Sequence, residues 1–298
     1  MKPAKYFPRQ QGSALIVAML VAALAAAVAV TLIAGEQRWL SGVEAQRDHA
    51  QAQALADAGV QWASLILFQD AGRDGDVTHL KQSWAFPLPP TPIENGFIEG
   101  RITDLQSRFN LNNLLPDSGT KRIHFERLNR LCRQLGIDGQ ARQTLFAYYS
   151  IGDNFNDKPA PSNKTPPLPP LFDLGDLPLP PAAVSKLAPH LVALPKPTPL
   201  NINTAERDTL RAAFADISDD DLNKIWTERD KQPFSSLAEF HRRVSLNAGV
   251  FKDEGLGVSS RYFLVTVRAR QGNARAQAQA LLHSEAGHWP EIVWKTVE

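Results

Sequence analysis

Between Ser13 and Ala34 the chain carries no charged residue, and Ser13 and Thr31 are the only polar side chains there. At about 1.5 Å per helical residue such a run crosses a hydrocarbon core of roughly 30 Å. No other stretch constrains the chain as strongly, because whatever follows must hang from an apolar helix. Ahead of it stand Lys2, Lys5 and Arg9 with no acidic residue, a bias that keeps such an end cytoplasmic and sends the bulk of the chain to the other side. A secretory signal peptide would have an apolar core of roughly 7–15 residues before a small-residue cleavage site. This run is longer, although its alanines supply A-x-A patterns. An uncleaved signal anchor fits the length equally well.

A third reading turns on the join Gln10-Gln11-Gly12 followed by Ser13-Ala14-Leu15-Ile16. It resembles a class III leader, cut by prepilin peptidase after glycine and before the apolar run, so that the helix stays on the mature protein. Gly12 would be the cleaved residue, since a bare backbone enters a protease cleft without side-chain or φ restriction. Ser13 would then open the mature chain.

The 298 residues allow one large or two modest domains beyond this segment. A net charge of +1 gives no global field to gather nucleic acid or anionic lipid. Cys132 is the only cysteine, which excludes an intramolecular disulfide and a cysteine-based zinc cluster. With Phe125, Leu128, Leu131 and Leu135 it recurs at helical spacing, as core filler would; a reactive thiol is the alternative. The seven histidines form no H-E-x-x-H or other ligand spacing, and no glycine loop suits a phosphate. No catalytic constellation is visible, so a non-enzymatic role is expected.

Glu36 to Phe68 contains no proline, and Leu40, Val43, Ala50, Ala54, Ala58, Trp62 and Leu65 keep one face small or apolar. One helix is expected from about Ser13 to about Phe68, half in the bilayer and half packed on a folded domain. Residues 69–96 read as irregular, with a turn-rich loop at Gly72–Asp76 and a connector carrying Pro87, Pro89, Pro90 and Pro92. Phe97 to Leu105 alternates as a strand does. Helices are expected at His124–Leu135 and Gly139–Tyr149. The proline-rich stretch up to Pro199 reads as extended chain wrapped on a neighbouring surface, or linker, with a short helix at Ala182–Leu187. Asn203 with Glu206 has the form of a capping box, Ser218 precedes Asp219, Asp220 and Asp221, and Ser236 precedes Glu239. Three short helices of a SAM-like or helix-hairpin-helix module follow from these signals. Ser260–Arg270, a Gln271-Gly272-Asn273 turn, Ala274–His283 and Ile292–Lys295 make an antiparallel hairpin with a third strand.

The run from Asp104 to Leu114, which contains Arg108-Phe109-Asn110-Leu111-Asn112-Asn113-Leu114, is similar to the D-x-x-x-R-F-N-L-N-N-L signature of type II secretion K-type minor pseudopilins. Asn201-Ile202-Asn203-Thr204-Ala205 and the S-x-R-Y-F entry into the last hairpin resemble further parts of that family, in its order. The resemblance implies an α+β fold, with a long N-terminal helix and small antiparallel sheet interrupted by a mostly helical, SAM-like insertion. The expected segments are a leader at 1–12, a transmembrane half-helix at 13–34 and a first pseudopilin part at 35–106. A first helical subdomain with the proline-rich connector at 107–199, a SAM-like subdomain at 200–257 and closing strands at 258–298 complete them. It also implies cleavage and N-methylation at Ser13, and an inner-membrane location with the bulk in the periplasm. The function implied is initiation of a pseudopilus, as its tip, for export of folded proteins across the outer membrane.

The implied partners are I-type and J-type minor pseudopilins, prepilin peptidase and inner-membrane lipid. Counted from Ser13, the fifth mature residue is Val17, where most pilins and pseudopilins carry glutamate. The family's aspartate-rich calcium loop is matched here by Tyr149–Asp157, which lacks several of its carboxylates. Asp153, Asn154, Asn156 and Asp157 remain weak ligands at most, so no cofactor is expected. L-N-I-N-T-A also opens DNA-binding hairpins of competence proteins, which makes a membrane-anchored receptor for DNA uptake the competing reading. Four aspartates and no glycine occupy the corresponding turn at Ala215–Asp221, and carboxylates there repel a phosphate backbone. No nucleic-acid partner is therefore expected.

Overall fold

The computed structural model describes residues 11–115, 121–148, 167–245 and 254–298. Its first element, α1 (Gln11–Asp74), is a single helix of 64 residues. No proline interrupts it, and it runs past Phe68 through the segment expected to be a loop, ending only where Gly75 takes φ +64°. A left-handed glycine just past a helix end satisfies the last carbonyls without a Cβ penalty. Leu15–Leu32 within it is long and apolar enough to cross a membrane, and none of that window is buried.

Five strands form one sheet in the order β1-β2-β7-β8-β9, antiparallel throughout. They are β1 (Leu88–Ile93), β2 (Gly96–Asp104), β7 (Tyr262–Gln271), β8 (Ala274–His283) and β9 (Glu291–Val297). The prolines of Leu88–Ile93 suggest an irregular connector, but the segment is a strand, β1. Proline donates no backbone hydrogen bond, so it is tolerated on an edge strand and not within a sheet. Pro89, Pro90 and Pro92 lie on this edge, where the register to β2 shifts between Leu88 and Thr91. The insertion therefore follows two strands, not one.

The sheet packs on α1 through Phe263, Val265, Val267 and Ala269 of β7 and Ala276, Ala278, Ala280 and Leu282 of β8. The helix meets them with Ala52, Ala56, Val60, Ala63 and Leu67. Small side chains let helix and sheet approach closely, and Gly59 is the limit of this. A Cβ there would stand 2.6 Å from Val267 Cγ1.

Between β2 and β7 lies the helical insertion. Its helices are α2 (Lys121–Gln134), α3 (Gly139–Tyr148), α4 (Pro181–Leu187), α5 (Arg207–Ala213), α6 (Asp219–Lys231) and α7 (Leu237–Val244). Two parallel pairings of two residues each tie distant segments together: β3 (Phe109–Asn110) to β4 (Leu191–Val192), and β5 (Leu200–Asn201) to β6 (Leu256–Gly257). Buried side chains from 107–199 and from 200–257 share one core, with Leu128, Leu145, Leu187, Leu210, Phe234 and Phe240 in contact through their neighbours. The described part of the proline-rich stretch wraps on that core through Leu168, Leu174 and Leu177. Ser218 and Ser236 cap α6 and α7 as expected, accepting from Asp221 N and Glu239 N. The capping box at Asn203 does not form. Glu206 is the N-cap of α5 and makes no side-chain cap bond.

Candidate assembly site

The insertion is fastened to the sheet at one carboxylate. Asp104 ends β2 and is 3% exposed. One oxygen accepts from Gln106 N at 2.8 Å, while the other accepts from Ser260 Oγ at 2.7 Å and from the Thr204 hydroxyl. Asn201 Nδ2 reaches the same oxygen at 3.5 Å and donates to Ser260 Oγ at 2.8 Å and to Thr78 O at 3.1 Å. Thr78 in turn accepts from Ser260 N through its hydroxyl at 3.0 Å. Burial pushes the Asp104 carboxyl up to about 6, against the pull of these hydrogen bonds. Four segments thus converge here: the exit from α1, the end of β2, the start of β5 and the entry to β7.

The motif asparagines are hinge pins of the same kind. An asparagine side chain is a peptide group on a short stem, so it can donate to and accept from a single backbone residue. Asn113 does this with Thr198, donating to its carbonyl at 2.7 Å and accepting from its N–H at 2.9 Å. Asn203 does it with Phe234, both at 2.9 Å. Asn112 does it with Leu168 at 3.0 and 2.9 Å, and donates also to Leu194 O at 2.8 Å. Asn110 accepts from Asn112 N and Leu194 N and donates to Lys196 O. Leu111 and Ala205 are buried between these polar anchors. The sequence marks these residues as motif positions, with Asn203 as a helix cap. Asn110 holds a local turn by accepting from Asn112 N, and Asn110, Asn112, Asn113 and Asn203 also reach across 31 to 86 residues. Asp104, Thr78 and Ser260 were missed as a site, because their meeting is visible only once the insertion is folded. A buried Cys132, its thiol pushed up to about 12 by burial, sits in the core of α2.

The second feature is α1 itself, which packs by a different face from the one its residue pattern suggests. Leu40, Val43, Ala50, Ala54, Ala58, Trp62 and Leu65, the face expected to pack on the domain, are all exposed. The sheet covers the opposite side, from Ala52 to Leu67. The helix therefore has two faces rich in small or apolar residues, and the longer one is exposed and runs toward the membrane segment, interrupted by Arg47 and Glu36. Phe68 extends it to Trp289, whose ring lies 5.7 Å away, and Lys295 of β9 borders it through a 2.6 Å ion pair to Asp57. Gly12 and Ser13 lie in the first turn of α1, and Val17 is exposed within the apolar run.

Among the described residues no three His, Cys, Asp or Glu side chains gather as metal ligands. Asp153, Asn154, Asn156 and Asp157 lie outside the described residues.

A family model for protein K of the type II secretion system matches residues 200–259. The type II secretion system protein K of Pseudomonas aeruginosa is 28% identical over 288 residues, covering 89% of this chain and 86% of that protein. Its counterpart from Klebsiella pneumoniae is 27% identical over 306 residues, covering 93% of each. Among solved structures, a chain of the GspK-GspI-GspJ complex from enterotoxigenic Escherichia coli has a similar fold. Its TM-score is 0.66 at 18% identity, with 86% of this chain and 99% of that one covered. Protein K relatives match the chain over nearly its whole length and the solved chain has a similar fold, so the chain is similar to the type II secretion system protein K family, the K-type minor pseudopilins.

Proposed function

We propose that the chain caps a pseudopilus in the inner membrane and starts its assembly with one I-type and one J-type minor pseudopilin. The observation that carries this reading is the uncovered apolar face of α1. A soluble protein leaves few such faces bare, and this one lies on the same helix as the membrane segment. The partner it fits is therefore another membrane-anchored chain with a parallel helix. The similar solved chain is part of a complex with two proteins named GspI and GspJ, which supports the same choice.

Position at the end of the fibre rests on two further features. The β7–β8 turn lies against Asp48, toward the membrane segment, whereas the Asp104 junction lies beyond the exit of α1 at Thr78. The helical insertion thus springs from the end of the sheet farthest from the membrane, where it would block a further subunit. Within the apolar run, Val17 takes the place of the glutamate that most pilins and pseudopilins carry, a carboxylate suited to neutralise a neighbour's amino terminus. An unpaired carboxylate in hydrocarbon costs several kcal/mol, so a subunit with no such neighbour is better with valine. Cleavage by prepilin peptidase between Gly12 and Ser13, with the folded bulk in the periplasm, completes the proposal. Replacing Ala54 and Ala58 by arginine tests it: the chain should keep its melting temperature and lose its partners. A complex that survives both changes would contradict it.

A further inference from the structure

The outward face of the sheet is divided. Near the junction Tyr262, Leu264 and Leu281 pack beneath Leu105, Val192 and Leu194 of the insertion. Toward the β7–β8 turn the same face is bare and carries Arg101, Arg268, Arg270 and Arg275, all exposed. The register sets Arg270 directly opposite Arg275. Like charges facing each other across a strand pair are destabilising, and a sheet face that needed only to stay wet would be served by alternating signs. The carboxylates here are Glu99, 3.5 Å from Arg268, and Glu298 at the border of β9. Shallow hollows of about 500 and about 280 Å³ adjoin along this face and share Glu99 and Arg268.

We propose that this arginine face binds an extended, acidic segment of a protein partner. Alternate residues of a strand lie about 6.6 Å apart on one side, so carboxylates two residues apart match Arg268 and Arg270. One of them would sit between Arg270 and Arg275 and relieve their repulsion. The guanidinium fork suits a carboxylate in two parallel bonds, and the face uses arginine throughout and no lysine. A membrane surface fits less well. The β7–β8 turn touches Asp48, 14 residues past Ala34, about 20 Å along the helix at about 1.5 Å per residue. That exceeds a Debye length of about 8 Å, and Asp48 and Glu94 flank the turn with the wrong sign. This surface is separate from the uncovered face of α1, so its test stands apart from the tip assignment.

The full chain in micelles of a neutral detergent is titrated against a labelled peptide of alternating glutamate and threonine, with a lysine–threonine peptide as control. The expected result is saturable binding of the acidic peptide alone, weakened at least tenfold by high salt. Binding should also weaken at least tenfold in the double variant Arg270→Gln with Arg275→Gln, whose melting temperature stays equal or rises as the like-charged pair is removed. If the double variant does not fold, Arg275→Gln alone carries the same comparison. No binding, or binding equal in variant and parent, overturns the proposal. So does binding to anionic vesicles that the same variant abolishes while the peptide is ignored, which assigns the face to a lipid surface.

Discussion

Asp104 is a buried carboxylate held by hydroxyls and amides, with no cation among its hydrogen-bond partners. Its folded value, about 6 against an ordinary 3.8, lies above that of the unfolded chain. The folded state therefore keeps this proton to higher pH, so the group's contribution to stability is full below about pH 4 and is lost as pH rises through about 6. The difference is on the order of 2–3 kcal/mol. Thermal unfolding across pH 4 to 7 should show that decline in the parent and a flatter profile in Asp104→Asn. An unchanged profile would place the titration elsewhere. Asp104→Ala, which strips an acceptor from four donors, should destabilise at neutral pH by about 2–4 kcal/mol. Asn203→Ala should lower the melting temperature at all pH values, because it orphans both backbone groups of Phe234 at a cost of about 1–3 kcal/mol. The importance of Asn203 was legible in the sequence but its role was not. A helix cap is a local pattern that residues three apart can spell out, whereas Phe234 lies 31 positions away.

At the scale of elements, α1 shows how far periodicity carries. Its length and continuity follow from apolar content and the absence of proline. Which of its faces packs inward does not, because both are small or apolar and nothing in the helix alone tells a sheet from a partner helix. The sheet side is the one where Gly59 and four alanine or valine positions permit close approach. Arginine at Ala56, on the covered side, should unfold the domain, whereas arginine at Ala58, two residues on, should leave the melting curve unchanged and act on assembly. Circular dichroism of both variants checks this; equal damage from both would mean that the second face is also structural. The edge strand β1 was hidden for the opposite reason, since its prolines are a loop signal everywhere except at the rim of a sheet. At the other end of the chain's first element, Gly12→Leu should leave the uncut precursor, and N-terminal sequencing of the membrane-bound protein reads the outcome directly. Mature protein beginning far inside the apolar run would exclude the prepilin leader.

For the whole molecule, the order helix, strand, helices, strands is readable from the alternation of periods, and the fold follows it with the edge strand β1 added before β2. The joining of 107–199 and 200–257 into one core was not readable, because it depends on contacts such as those of Asn112 with Leu168 and Asn113 with Thr198. The expectation for Asp153, Asn154, Asn156 and Asp157 is that millimolar calcium leaves the melting temperature unchanged; a rise reversed by chelator would establish a site. The central claim is that this chain is one subunit at the tip of a pseudopilus. Light scattering on the purified chain mixed with I-type and J-type minor pseudopilins measures that most directly. A mass equal to one copy of each is predicted. Self-association of this chain into fibres, or three species that stay apart, would contradict the account.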